Sequence, residues 1–279
     1  MNYRHAYHAG NFADVMKHAA FALALEHLKQ KEKPFFVLDT HAGTGETDLT
    51  GIEAQKTGEF HDGVARILAE PHPHEALAPY LATLKALGCE GIHPARYPGS
   101  PLIARHLTRE NDRLSFCELH PEDAASLRAR LRRDQRAKVH ESDGYGALKA
   151  MLPPRERRGL VLIDPPYEGR DEFDRVDAAL AQATKRFATG TYMIWYPVKD
   201  PSVSGAFLDR LERSGPPKTL MAELHIRGSE DPTRLSGSGL VIVNPPWMFP
   251  ETLTSLFGWL AEILAQGPGA RARVEWLQK

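Results

Sequence analysis

At 279 residues, with 42% hydrophobic and 25% charged side chains, the chain has a globular composition, which excludes collagen, coiled coil and overall disorder. A formal net charge of −1 gives no overall pull toward nucleic acid, so any basic surface is local. Two cysteines, Cys89 and Cys117, are too few for a disulfide framework and fit a reducing cytoplasm. No apolar run approaches the roughly 20 residues of a membrane span, and the opening residues lack the apolar core of a signal peptide.

Apolar residues at helical spacing predict a helix over 13–28, leading into a first strand at 35–38. Residues 46–97 carry helical patterns at 61–68 and 75–87 and no strand signal, so they read as a small helical insertion. Ser100-Pro101 reads as an N-cap followed by a proline in the first turn. Strands are predicted at 114–117, 137–139, 160–163 and 191–195, separated by helices over 121–133, 145–152 and 172–186. This alternation implies a parallel sheet with helices on both faces. The runs 219–226 and 240–243 bracket Gly-Ser turn chemistry and read as an antiparallel pair at the sheet edge. A helix over 250–266 and a short strand at 273–277 complete what is expected to be one domain, residues 1–279.

The residues with chemical potential lie just past the carboxyl ends of these strands, the edge where open α/β sheets bind ligands. The first strand runs into Asp39-Thr40-His41-Ala42-Gly43-Thr44-Gly45, where the glycines permit a sharp turn and close backbone approach. The next ends in Glu118, suited to a pair of ribose hydroxyls; then come Asp143-Gly144 and Asp164-Pro165-Pro166-Tyr167. Glycine loop, ribose acid, adenine-side acid and catalytic loop, in that order, are the layout of a Rossmann-like class I S-adenosylmethionine-dependent methyltransferase. A dinucleotide dehydrogenase would want Gly-x-Gly-x-x-Gly with an acid about 20 residues on. Here the third glycine is absent and Glu118 lies far downstream.

The tetrapeptide from Asp164 to Tyr167 matches the loop of enzymes that methylate exocyclic amines. The adenine N6 lone pair is delocalised into the ring and is a poor nucleophile. The Asp164 carboxylate and the Pro165 carbonyl together accept both N–H bonds, which draws the lone pair toward the methyl donor. The prolines fix φ and bring no competing donors, and Tyr167 offers a stacking face for a flipped base. Asn244-Pro245-Pro246-Trp247 fits the same pattern. Element order favours Asp164, 21 residues after Asp143, and leaves Asn244 as a turn.

Several segments resemble the RlmJ family, ribosomal RNA large-subunit methyltransferase J. They are Tyr3-Arg4-His5, His8-Ala9-Gly10-Asn11, residues 14–18, 38–45, 97–105, Glu118-Leu119-His120-Pro121, 162–168, 186–197 and 239–247. The resemblance implies N6-methyladenosine formation in 23S ribosomal RNA, at adenine 2030 in the family's conventional numbering, with S-adenosylmethionine and no metal. It also implies cofactor contacts at His18, His41, Ser100, Glu118, Asp143, Gly144 and Asp164, beside Gly43 of the glycine loop. Asp164, Pro165 and Tyr167 are then catalytic, and Tyr3, His5 and Lys17 are substrate contacts, the tail folding over the cleft. A monomeric, cytoplasmic enzyme is expected.

Plainer roles compete with some of these. His18 and His41 by position alone fit ordinary core histidines, and His5, His8, His18 and His41 lack the thiolate or acid that would close a zinc set. Arg128, Arg132 and Arg136, spaced by four, fit either an RNA-facing stripe or a solvated helix face, and Arg155, Arg157 and Arg158 are equally open. Cys117 reads as a core thiol. Alternatives to the ribosomal RNA enzyme are a DNA adenine-N6 methyltransferase and a non-catalytic cofactor-binding RNA module.

Overall fold

The computed structural model describes residues 5–169 and 171–279. Its first long element is α1 (Phe12–Lys29), capped by Asn11, whose side-chain oxygen accepts from the N–H groups of Ala13 and Asp14 at 3.0 Å. Fourteen of its 18 residues are buried, so this helix is covered all round rather than amphipathic. Its five alanines let neighbouring elements approach closely on every side.

Strand β1 (Phe36–Asp39) follows, and then the insertion: β2 (Glu46–Asp48), α2 (Ile52–Thr57), α3 (Val64–Ala69), α4 (Ala78–Ala86) and β3 (Arg96–Pro98). A strand pair was not expected here. β2 and β3 pair antiparallel, Thr47 opposite Tyr97, and close the insertion at its base. Three-residue strands reading Glu-Thr-Asp and Arg-Tyr-Pro carry no apolar alternation, so nothing local announces them.

The rest of the chain alternates as expected: α5 (Ser100–Leu107), β4 (Arg113–Glu118), α6 (Pro121–Leu131), β5 (Ala137–Glu141), α7 (Gly144–Met151), β6 (Gly159–Ile163), α8 (Glu172–Arg186) and β7 (Thr191–Val198). Next is α9 (Pro201–Ser214), which was not among the expected elements although its start signal and apolar residues at helical spacing (Val203, Phe207, Leu208, Leu211) are present. Asp200 caps it, accepting from Ser202 N at 2.8 Å, and Pro201 opens the first turn. β8 (Thr219–His225), β9 (Gly237–Val243), α10 (Phe249–Ile263) and β10 (Arg271–Gln278) complete the chain.

Eight strands form one sheet in the order β10-β8-β9-β7-β6-β1-β4-β5. The five from β7 to β5 are parallel; β9 runs antiparallel to β7 and β8, and β10 antiparallel to β8. This mostly parallel sheet with an antiparallel end and helices on both faces is the α/β architecture expected from the sequence. Side-chain alternation feeds two cores: Phe35, Val37 and Leu162 pack on the α1 face, Phe36, Leu38 and Val161 on the other. Among the described residues no helix is long and apolar enough to cross a membrane.

The Gly-Ser segment is a correction. Gly237, Ser238 and Gly239 lie inside β9 and not in a turn. A Cβ on Gly239 would stand 2.0 Å from Cζ of Tyr196, whose hydroxyl donates to Glu223 Oε1 at 2.8 Å. Glycine is there because a buried tyrosine crosses the strand, a close approach of the kind glycine in a strand often marks.

Candidate active site

The carboxyl ends of β1, β4, β6 and β7 open into one cleft of about 1060 Å³. It is lined by His5, Lys17, His18, His41, Gly43, Ser100, Glu118, Asp143, Gly144, Asp164, Pro165 and Tyr167, all singled out in the sequence. Tyr3 and Arg4 lie outside the described residues.

Past β1 the chain turns through Gly43 and Gly45, both in the left-handed region with φ of 60° and 82°. Glu118 holds this loop in shape: Oε2 accepts from Gly43 N and Oε1 from His120 N, each at 2.8 Å. Each oxygen keeps a lone pair for a further donor. Asp143 caps α7 through Oδ2, which accepts from Gly146 N at 2.8 Å, and half its side chain stays exposed. A Cβ on Gly144 would fall 2.1 Å from the carbonyl oxygen of Thr40, so only glycine lets α7 start this close to the first loop.

His41 sits edge-on to Tyr145 with ring centroids 5.4 Å apart. Its Nδ1 lies 2.8 Å from Thr40 Oγ1, and that hydroxyl already donates to the carbonyl of Leu162. His41 Nδ1 is therefore the donor, which leaves Nε2 as an acceptor. Burial pulls its pKa down to about 4, so the ring is neutral at physiological pH. His18 is neutral too, pulled down to about 3 by burial, and its Nδ1 lies 2.8 Å from the Tyr97 hydroxyl.

The loop after β6 meets the first turns of α1. Lys17 Nζ is 2.5 Å from Asp164 Oδ2 and 2.9 Å from Asp14 Oδ1. Asp14 Oδ2 in turn accepts from Gly10 N at 2.9 Å and faces His5 Nε2 at 3.1 Å. Burial opposes the Lys17 charge, yet Asp14 and Asp164 together raise its pKa above the ordinary lysine range. Burial likewise works against the Asp14 carboxylate, but Lys17 and His5 hold its pKa well below the usual range. Tyr167 takes a left-handed φ of 50°, donates its hydroxyl to the carbonyl of Trp195 at 2.8 Å, and packs against Phe173. Such strain in a non-glycine residue is maintained only where surrounding contacts over-determine it. Asp14 was not among the expected site residues, although its spacing from Lys17 and His18 places the three on one helical face.

The description "Ribosomal RNA large subunit methyltransferase D, RlmJ" belongs to the family that matches residues 32–278. Two proteins named "Ribosomal RNA large subunit methyltransferase J", from Escherichia coli K12 and Haemophilus influenzae, are 42% and 43% identical over 277 residues, 99% of this chain and of each relative. The chain belongs to the RlmJ family. A crystal structure of protein LPL1258 from Legionella pneumophila, 34% identical, superposes with a TM-score of 0.87 over 96% of this chain and 98% of that one.

Other expectations resolve against this RlmJ-family fold. Ser100 is the first residue of α5, with Gly99 at the cap; its hydroxyl donates to Asp39 Oδ2 at 2.7 Å instead of capping the helix. Asn244 ends β9, which runs against β7, so it emerges at the opposite sheet edge from Asp164. There it takes a φ of 51° and donates to the carbonyls of Ala188 and Gly190, both at 2.8 Å. Arg136 is not part of a stripe with Arg128 and Arg132. It lies beyond α6 and donates inward to Asp134 and to the carbonyls of Arg105, Thr108 and Arg109. Arg158 likewise binds the carbonyls of Leu28 and Lys33. Cys117 is a buried thiol, pushed up to about 11 by burial.

Asp39, fully buried, accepts from Ser100 Oγ and from His41 N. Burial pushes its carboxyl up to about 7, against the Ser100 hydrogen bond and with help from the Asp164 charge. A raised acid weakens the fold as pH rises from its unfolded value of about 3.9 to its folded one. In Asp39→Asn that loss is absent. The stability advantage of the variant over wild type should therefore grow from pH 4 to 7, by about 4 kcal/mol, and level off above. A difference independent of pH would show that Asp39 does not titrate there.

Proposed function

We propose that this chain transfers a methyl group from S-adenosylmethionine to the N6 of an adenosine in 23S ribosomal RNA, adenine 2030 in the family's numbering. The observation that carries it is the meeting of Asp164-Pro165-Pro166-Tyr167 with the glycine loop, Glu118 and Asp143 in one cleft of an RlmJ-family chain. The residues fit such a cofactor. Gly144 admits no side chain beside the loop, Glu118 retains lone pairs for a ribose diol, and Glu118, Asp123, Asp143 and Glu172 favour a positively charged ligand. We read residues 1–279 as one cytoplasmic methyltransferase unit, with 46–97 as its inserted subdomain, acting as a monomer without metal.

When bound, S-adenosylmethionine supplies an electrophilic methyl group. Asp164 and the Pro165 carbonyl accept the two N6 hydrogens and turn the lone pair out of the ring plane. Lys17, fixed between two carboxylates, supplies a counter-charge that keeps Asp164 oriented. Tyr167 and Trp195, with ring centroids 5.7 Å apart, give the flipped base an aromatic wall. N6 then sheds one proton, to Asp164 or to water.

The test is nucleoside analysis after incubating the purified protein with ribosomal RNA or with DNA. N6-methyladenosine confined to RNA is expected; product in DNA alone would favour the DNA enzyme, and no product the binding module. Glu118→Ala should weaken cofactor binding by about 1.5–3 kcal/mol, through lost charge-assisted hydrogen bonds and a loosened Gly43 turn. Unchanged calorimetric affinity in both Glu118→Ala and Asp143→Ala would refute the pocket assignment.

A further inference from the structure

The cleft does not stop at the catalytic loop. It runs on past Tyr167 to the end of β7 and the connection between β8 and β9, where its lining includes Lys199, Arg227 and Arg234. β8 is parallel to β7, so the 226–236 connection emerges at the same sheet edge as Asp164. Its base is fixed on two sides: Ser236 N donates to the Val198 carbonyl at 3.0 Å and Gly228 N to the Pro268 carbonyl at 2.7 Å.

The two ends of this cleft differ in charge. At the cofactor end acids predominate, and the cation there, Arg175, lies against Asp143 and Glu172. At the far end cations predominate: Lys199, Arg227 and Arg234 line it, with Asp200 beside them. Lys199 and Arg234 are exposed, and neither side chain makes a hydrogen bond or ion pair to a described residue, although the Asp231 charge acts on Arg234 from nearby. Arg227 binds the Gln266 side-chain oxygen through Nη2, while its Nε is buried without a partner. Burial, then the positive charge of Arg234, holds the Arg227 guanidinium below the usual arginine range, so two like charges stand close together. The local acids have hydrogen-bond partners of their own. Asp200 accepts from Ser202 at the start of α9, Asp231 accepts from Thr233 N and Oγ1, and neither Glu230 nor Asp231 lines the cleft.

We propose that Lys199, Arg227 and Arg234 form a phosphate track holding the RNA strand next to the target adenosine. Guanidinium and ammonium groups clustered past the ends of β7 and β8 match the repeating charge of a sugar–phosphate backbone. A base flipped against Asp164 brings its neighbouring phosphates toward that side of the cleft. The inference rests on the RNA methyltransferase function proposed above.

The test compares wild type with Lys199→Gln/Arg227→Gln/Arg234→Gln, using transcribed large-subunit ribosomal RNA. Arg155→Gln is the control, an exposed cation at the opposite sheet edge, beside Glu156. RNA affinity of the triple variant should fall roughly tenfold or more at about 0.1 M salt, with the slope of log affinity against log salt shallower by about 2. Single-turnover methyl transfer at saturating RNA and calorimetric cofactor affinity should stay close to wild type. The same losses in Arg155→Gln, or unchanged affinity and salt slope in the triple variant, would overturn the track. Lost cofactor binding in the triple variant would also overturn it, as a sign of general damage. If wild type itself transfers no methyl group to RNA, it is the proposed function that fails.

Discussion

Asp164→Ala is expected to slow single-turnover methyl transfer by a factor of about 10² or more, as for loss of an interaction worth about 3 kcal/mol in the transition state. Asp164→Asn discriminates two roles. An amide oxygen still accepts one N6 hydrogen, so measurable activity means that Asp164 orients the amine. Activity as low as in Asp164→Ala means that it must take the proton. Asn cannot hold Lys17 by charge, so both variants should be checked for melting before their rates are compared. Asn244→Ala is the control, since that residue closes a turn at the opposite sheet edge. Transfer abolished in Asn244→Ala and preserved in Asp164→Ala would overturn the site.

Lys17→Met should be costly in both stability and rate. It leaves Asp14, 2% exposed, with Gly10 N and His5 as the hydrogen-bonding partners among the described residues to offset a buried charge, at about 2–4 kcal/mol. The pH dependence has a definite sign. The depressed pKa of Asp14 contributes stability present above its unfolded value of about 3.9 and lost as pH falls below it. The raised pKa of Lys17 contributes stability that is complete below its unfolded value of about 10.4 and lost as pH rises past the folded one. The gap between wild type and variant should therefore be widest from about pH 5 to 10 and shrink in acid. Asp14→Asn/Lys17→Met should recover much of the melting temperature and none of the turnover, because Asp164 still lacks its partner. A single variant that melts like wild type would show that the ion pairs contribute little.

The sheet was readable because its central parallel strands are compact apolar runs ending in an acidic residue, as at Leu38-Asp39, Cys117-Glu118 and Ile163-Asp164. Gly43, Glu118, Asp143 and Asp164 were likewise marked by strand ends, since topology brings those ends to one edge, whereas His5, Lys17 and His18 came from the family resemblance alone. What stayed hidden depends on distance in the chain. Nothing near Lys17 foretells an ion pair with Asp164, 147 residues away, and nothing near Glu118 foretells that it holds Gly43. Arg136 shows the converse error. Even spacing suggested a stripe, but α6 stops at Leu131 and the guanidinium turns inward. Gly237 and Gly239 looked like turn residues because a ring from the neighbouring strand is invisible to local composition.

The burial of α1 on all sides ties the cleft to the rest of the molecule in a particular way. Asp14, Lys17 and His18 belong to a helix wedged between the sheet and the insertion, and its first three turns, buried from Phe12 to Ala22, have no solvent-facing stripe along which they could open alone. Amide protons in its first turns should exchange with solvent only when the whole sheet opens, in contrast to the frayed or sub-global opening usual at ligand sites. Heating would then abolish turnover along the same curve as the loss of tertiary structure, without an earlier inactive plateau.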